Sequence, residues 1–219
     1  MKVIIHSCDK RLWYVNEFLI PALHDQGIDP IVHNDDEHKG CLWSYMRSFQ
    51  RLKRTTEGTW HLQDDVMICR DFARIAQAHD SGIVYGFFHR HVNEADITEG
   101  YVPVMKAGYS FPCLRIPDAL AVEFTEWFLI DAQYRDQYQR WVEEKKFADA
   151  FWMNFLREQH PELMVYNLKP SIVEHIDEYI GGSTINFWRD GWCHATYFDD
   201  AESIEQLKVK LAGRKDPLF

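Results

Sequence analysis

Short β-branched runs alternate with longer amphipathic stretches through the first half of the chain, and this alternation constrains the fold more than any composition figure. Lys2–His6 reads as a strand, after which Leu12, Val15, Leu19, Ala22 and Leu23 recur at helical spacing up to Gly27, a C-cap residue. Pro21 falls inside that helix and is expected to kink or shorten it. Pro30–His33 forms a second strand, followed by the polar loop Asp35–Gly40. Leu42, Met46, Phe49 and Lys53 then share one side of a second helix. Trp60–Gln63 is a third strand that ends in Asp64-Asp65. Strand–helix–strand connection of this kind predicts an α/β fold, a mostly parallel central sheet with helices on both faces. No repeat or Pro/Gly/Ser-rich linker interrupts the 219 residues, so a single domain is expected.

The second half repeats the vocabulary with more aromatic weight, 15% of the chain being Phe, Trp or Tyr. Gly82–Phe88 is a continuous apolar run, as in a strand buried on both faces. Asp71 is expected to cap a helix reaching His79. Cys113–Pro117 is a further strand, and Asp118 caps a helix whose stripe is Leu120, Phe124, Trp127 and Phe128. A polar helix with Tyr134, Tyr138 and Trp141 follows, then one with Ala148, Phe151, Phe155 and Leu156. Leu163–Leu168 and Ser171–Ile176 are late strands broken by Pro170, and Ser203–Leu211 is a last short helix. Beyond Gly181-Gly182 the chain turns loop-like, with Trp188, Trp192 and Tyr197 either pinning a tail onto the domain or meeting a sugar or base face.

In open α/β sheets ligands bind outside the carboxyl ends of the strands. That rule selects Ser7–Arg11, Asp35–Gly40 and Asp64-Asp65, which should converge on one crevice. Adjacent carboxylates at a strand end repel each other unless a cation sits near them, and Mg²⁺ or Mn²⁺ would supply that charge. The competing reading is a solvated turn, as for Asp35-Asp36 and Asp199-Asp200. His175, at the end of a β-branched run, would be delivered to the same sheet edge, although a lone histidine is ordinarily a hydrogen-bonding core residue. The five cysteines are scattered with no CxxC pair, which argues against a disulfide framework or a structural zinc site and fits a reducing cytosol. Met1–Arg11 is too poor in apolar residues for a signal peptide, and no run is long enough to cross a membrane. A net charge of −10 argues against a protein that neutralises many phosphates, although Arg47, Arg51, Lys53 and Arg54 would line one helix face.

Leu62-Gln63-Asp64-Asp65-Val66 resembles the DxD-type metal segment of GT-A fold glycosyltransferases. Pro170-Ser171-Ile172-Val173-Glu174-His175-Ile176 is similar to the stretch that ends the catalytic core of several such families, and the two stand in the family's order. Two departures are Gln63, where relatives often carry an acid, and Asp177, where the pattern prefers Gly. The resemblance, of a compact bacterial or phage type, covers roughly residues 1–185, leaving 186–219 as an aromatic segment and short helix packed on the domain or acting as a lid. It implies a metal-dependent transfer of sugar from a nucleotide-sugar, a UDP-sugar first, to an acceptor hydroxyl on a glycan or a hydroxymethylated pyrimidine of DNA. Asp65 and His175 would hold Mn²⁺ or Mg²⁺. Ser7, Asp9, Arg11, Asp35, Lys39, Arg47 and Asp64 would bind the donor. Asp149, near the start of an aromatic helix, would be the base, with Asp118 and Glu123 behind it. The other classes are a metal-dependent hydrolase or phosphotransferase and a non-catalytic nucleotide-sugar-binding module. Walker-type, GxGxxG and GxSxG motifs are absent from the sequence.

Overall fold

The computed structural model describes residues 1–87, 99–106, 112–130, 132–144, 148–180, 198 and 200–212. Strand β1 (Lys2–Cys8) runs two residues past its expected end and leads into α1 (Leu12–Tyr14). A π-helical turn (Val15–Leu19) joins α1 to α2 (Ile20–His24), and Pro21 opens this last segment, where its missing N–H costs least. Gly27 closes the unit at φ 74°. Next come β2 (Ile31–Asp35), α3 (Cys41–Phe49) and β3 (Gly58–Gln63). Because α3 ends at Phe49, Arg51, Lys53 and Arg54 lie in the turn beyond it, and Arg54 pairs with Glu126. The expected basic helix face is therefore not formed.

A two-residue turn, Asp64-Asp65, connects β3 to β4 (Val66–Ile68), followed by α4 (Phe72–Ala78). Asp71 does not cap α4 through its side chain but pairs with Arg74 at 2.8 Å. Three strands follow, β5 (Ile83–Tyr85), β6 (Gly100–Pro103) and β7 (Cys113–Pro117). The helices α5 (Asp118–Ile130), α6 (Ala132–Glu143) and α7 (Ala148–Gln159) come next. Last are β8 (Met164–Asn167), β9 (Val173–His175) and α8 (Ala201–Ala212).

The seven-stranded sheet has the order β2-β1-β3-β7-β5-β8-β6. It is mostly parallel: β2, β1, β3, β5 and β8 run one way, and β7 and β6 run the other. A second, two-stranded sheet pairs β4 with β9 antiparallel, setting Val66 opposite His175. Neither β4 nor β6 was expected from the sequence. Strand β4 is too short to show a period, and β6 begins in Gly and ends in Pro, which suits only an edge.

Period-two alternation sends β1 and β3 side chains to two cores. Val3, Ile5, Trp60 and Leu62 pack with α1, α2, α4 and α8 on one face. On the other, Leu114, Ile116 and Ile83 pack with Phe49, Phe124, Trp152 and Phe155 of α3, α5 and α7. The aromatic stripe expected on α5 and α7 is core, with Phe124 and Phe155 fully buried. Leu207 and Leu211 of α8 are buried in the first core. The aromatics Trp188, Trp192 and Tyr197 lie outside the described residues. Among the described helices, none is long and apolar enough to cross a membrane.

Candidate functional site

Beyond the carboxyl ends of β1, β2 and β3 a cleft opens, its walls including Ser7, Arg11, Asp35, Gly40, Asp64 and Asp65. The three chain segments expected to converge do so here, because parallel strands in one sheet end on one edge.

Asp35 shapes the entrance to α3. Its Oδ1 accepts from the Lys39 amide at 2.9 Å and its Oδ2 from the Gly40 amide at 2.5 Å. Gly40 sits at φ 90°, in the region that favours glycine, so the backbone can turn directly into the helix. Lys39 is at the rim, paired with Glu37 at 2.5 Å and lying 5.2 Å over the Trp43 ring.

Asp64 and Asp65 are both buried, and the cation between them belongs to the protein. The Arg11 guanidinium, its side chain only 3% exposed, reaches Asp64 Oδ1 at 3.2 Å and also bonds Asp65 Oδ2. Asp64 Oδ2 accepts from the Cys8 amide at 3.0 Å. His175 comes in from β9, with Nε2 3.2 Å from Asp65 Oδ2 and Nδ1 3.2 Å from Asp177 Oδ1. Asp177, the departure from the family pattern, is thus part of the network. Burial pushes the Asp64 carboxyl up to about 6 against the pull of Arg11. For Asp65 burial pushes the same way, but Arg11 and His175 together hold its carboxyl below the usual range. Burial alone would depress His175, yet Asp65 and Asp177 raise it to about 10, so it is an imidazolium at neutral pH.

A chain of neutral polar groups that the sequence reading missed runs under this cluster. His6 lies on Tyr45 with ring centroids 3.8 Å apart. Its Nδ1 is 3.2 Å from Ser44 Oγ and its Nε2 is 2.9 Å from His61 Nδ1. Desolvation depresses both imidazoles, His61 to about 3, so they stay uncharged. Only alternation along β1 and β3, which puts His6 and His61 on the α3 face, hinted at them. Cys8 and Cys41 also border the cleft, but burial pushes each thiol to about 12, which makes them poor nucleophiles.

Other candidates fall elsewhere. Asp9 is exposed and holds Asn34 Nδ2 at 2.7 Å. Arg47 is exposed on α3, 5.8 Å from the Trp43 ring centre, and does not line the cleft. Asp149 is half-buried in the first turn of α7 and accepts from the Ala150 amide at 2.8 Å. It acts electrostatically on Cys41, a cleft residue, and burial pushes its carboxyl up. Asp118 lies at the opposite end of the sheet, bound to Thr59 Oγ1 at 2.6 Å and Lys2 Nζ at 3.0 Å, so it has no access to the cleft. Glu123 is paired with His160 at 2.9 Å.

The donors present do not fit a divalent ion in this arrangement. Of the four oxygens of Asp64 and Asp65, three already accept from Arg11, Cys8 or His175, and only the buried Asp65 Oδ1 has no hydrogen-bond partner. Among the described residues no group of three His, Cys, Asp or Glu side chains converges as ligands.

Fold and site together define an α/β protein with a mostly parallel seven-stranded sheet, a layout compatible with a Rossmann-like fold, and a cleft at the carboxyl edge of its parallel strands. The chain matches no family model and no curated protein at a significant level. A197 from STIV is similar over 80% of this chain and 86% of its own, with 15% identity and a TM-score of 0.41. The inositol-1-phosphate CTP transferase from T. maritima is similar over 99% of this chain and 79% of its own, with 9% identity and a TM-score of 0.43.

Proposed function

We propose that this protein is a nucleotide-sugar-dependent glycosyltransferase of GT-A type. One observation carries the reading. The Asp64-Asp65 segment and the Pro170–Ile176 segment, which the sequence resemblance singles out separately, meet through β4 and β9, so that His175 touches Asp65 at the cleft.

In this reading the nucleoside diphosphate lies across the ends of β1 to β3. Lys10 in the cleft wall, Lys39 at the rim and the amino end of α3 face the negative charge that grows on the departing diphosphate. Ser7 and the backbone held by Asp35 set the position of the nucleoside. Asp149, made more basic by burial, takes the proton of the acceptor hydroxyl if the sugar is transferred with inversion. The acceptor is a glycan or a modified base.

The test is a thermal-shift panel of UDP-, GDP-, CMP-, dTDP- and ADP-sugars, run with Mn²⁺, with Mg²⁺ and with EDTA. A ligand that binds only the folded state stabilises it by ~2.7 kcal/mol at a hundredfold excess over Kd. The expected result is a rise in Tm for one nucleotide series. A folded sample that responds to none of them at millimolar ligand overturns the proposal.

A further inference from the structure

The Asp64-Asp65 pair needs a counter-cation, and what occupies that role in the structure differs from what the sequence suggests. The Arg11 guanidinium bonds both carboxylates from a side chain that is almost wholly enclosed, and all three residues form part of the cleft wall. We infer that Arg11 is the resident cation of the pair, that Asp64-Asp65 takes up no divalent ion, and that a nucleoside diphosphate enters the cleft without one. The last clause rests on the function proposed above.

The argument is one of lone pairs and of charge. A hard divalent ion takes roughly six or more oxygen ligands, and strips several of its own waters to gain protein ones. Here three of the four carboxylate oxygens already accept from N–H groups of Arg11, Cys8 or His175, and Asp65 Oδ2 accepts from two of them. An ion bound between the carboxylates would push aside a buried guanidinium and set a second cation against it, a heavy electrostatic cost in a site of low dielectric. Asp65 Oδ1 is the single pair oxygen with no hydrogen bond, and one oxygen does not make a site. Arg11 comes from the loop after β1 and the carboxylates from the turn after β3, so the parallel pairing of these two strands builds the arrangement.

The experiment is a titration of the protein with MnCl₂ alone, reading free Mn²⁺ by electron paramagnetic resonance. It is run on the wild type and on Arg11→Met, which keeps the apolar stem and removes the charge. The wild type is expected to leave the free Mn²⁺ signal unchanged, and Arg11→Met to bind Mn²⁺ at least about tenfold more tightly, Asp64 now having no cation and Asp65 only His175. Depletion of Mn²⁺ by the wild type that Asp65→Asn removes would overturn the inference. So would a folded Arg11→Met that binds no more than the wild type. Should Arg11→Met fail to fold, the wild-type and Asp65→Asn titrations still decide. Calorimetry with the nucleotide series found by thermal shift tests the last clause: equal affinity in EDTA and in Mn²⁺ is expected, and binding only with Mn²⁺ overturns it. If no nucleotide binds under either condition, the functional reading and that last clause fall together, while the manganese titration still decides the first two.

Discussion

Asp65 joins the two buried cations of the site, since its Oδ2 meets both Arg11 and His175. Neutralising it leaves the buried Arg11 cation with Asp64 and the buried His175 cation with Asp177, each one carboxylate short. Asp65→Asn is therefore expected to cost about 3–5 kcal/mol of stability, read from urea unfolding, because breaking a buried ion pair strands its partner. A mere surface turn at this position would show a loss near zero. His175 adds a pH signature. Its folded value is raised to about 10 from 6.5, so the stability it contributes is fully present below pH 6.5 and is lost as pH rises toward 10. The urea midpoint of the wild type should fall across that window, and His175→Gln should flatten the fall. An unchanged slope in the variant would mean that other groups set the alkaline limb. The strand-end position of Asp64-Asp65 was legible in the sequence, as was its need for a cation. That the cation is Arg11 was not, because local patterning tells which way a side chain faces and not which distant residue it meets.

The loop into α3 is the element on which the cleft most depends. Asp35 ties down the Lys39 and Gly40 amides, and Gly40 takes a backbone conformation that side chains resist. Asp35→Ala should cost about 1–3 kcal/mol for the amides it leaves unsatisfied and should abolish the nucleotide response of the thermal shift. Gly40→Ala should cost about 1–3 kcal/mol through backbone strain, checked by the same unfolding measurement. Retention of the full nucleotide response in Asp35→Ala would detach this loop from donor binding. Elements with long, clean periods, such as α5, α7 and the first three strands, were readable at sequence level. The direction of β7, the pairing of β4 with β9 and the edge strand β6 were not, since nothing in a run of three to five residues states its partner or its direction.

At the scale of the whole molecule, α8 closes one face of the sheet. Leu207 and Leu211 are buried against the core that contains Trp60, and Arg70 pairs with Asp200 and Glu202 at its start. Ending the chain after Phe198 should therefore lower stability by about 3 kcal/mol or more, the burial of two leucines, seen as a drop in Tm. A Tm equal to that of the full chain would mean that α8 is an appendage. Charge acts at this scale too. With a net charge of −10 and Arg54 engaged by Glu126, no continuous cationic face is left on α3. An acceptor presented on duplex DNA would show affinity that falls steeply with added salt, whereas a free saccharide would not.

By itself the sequence determined the α/β class, the two apolar faces of the sheet and the edge on which polar strand ends must gather. Those follow from period and from the chemistry of single residues, which act over a few positions. The tertiary structure decided which polar groups meet there. It brought Arg11 from the end of β1 and His175 from β9 onto one carboxylate, and sent Asp118 to the opposite end of the sheet. It also laid a neutral histidine chain beneath the cleft. Pairings between residues far apart in the chain depend on strand order and direction, and these are set when the whole sheet packs between its two cores.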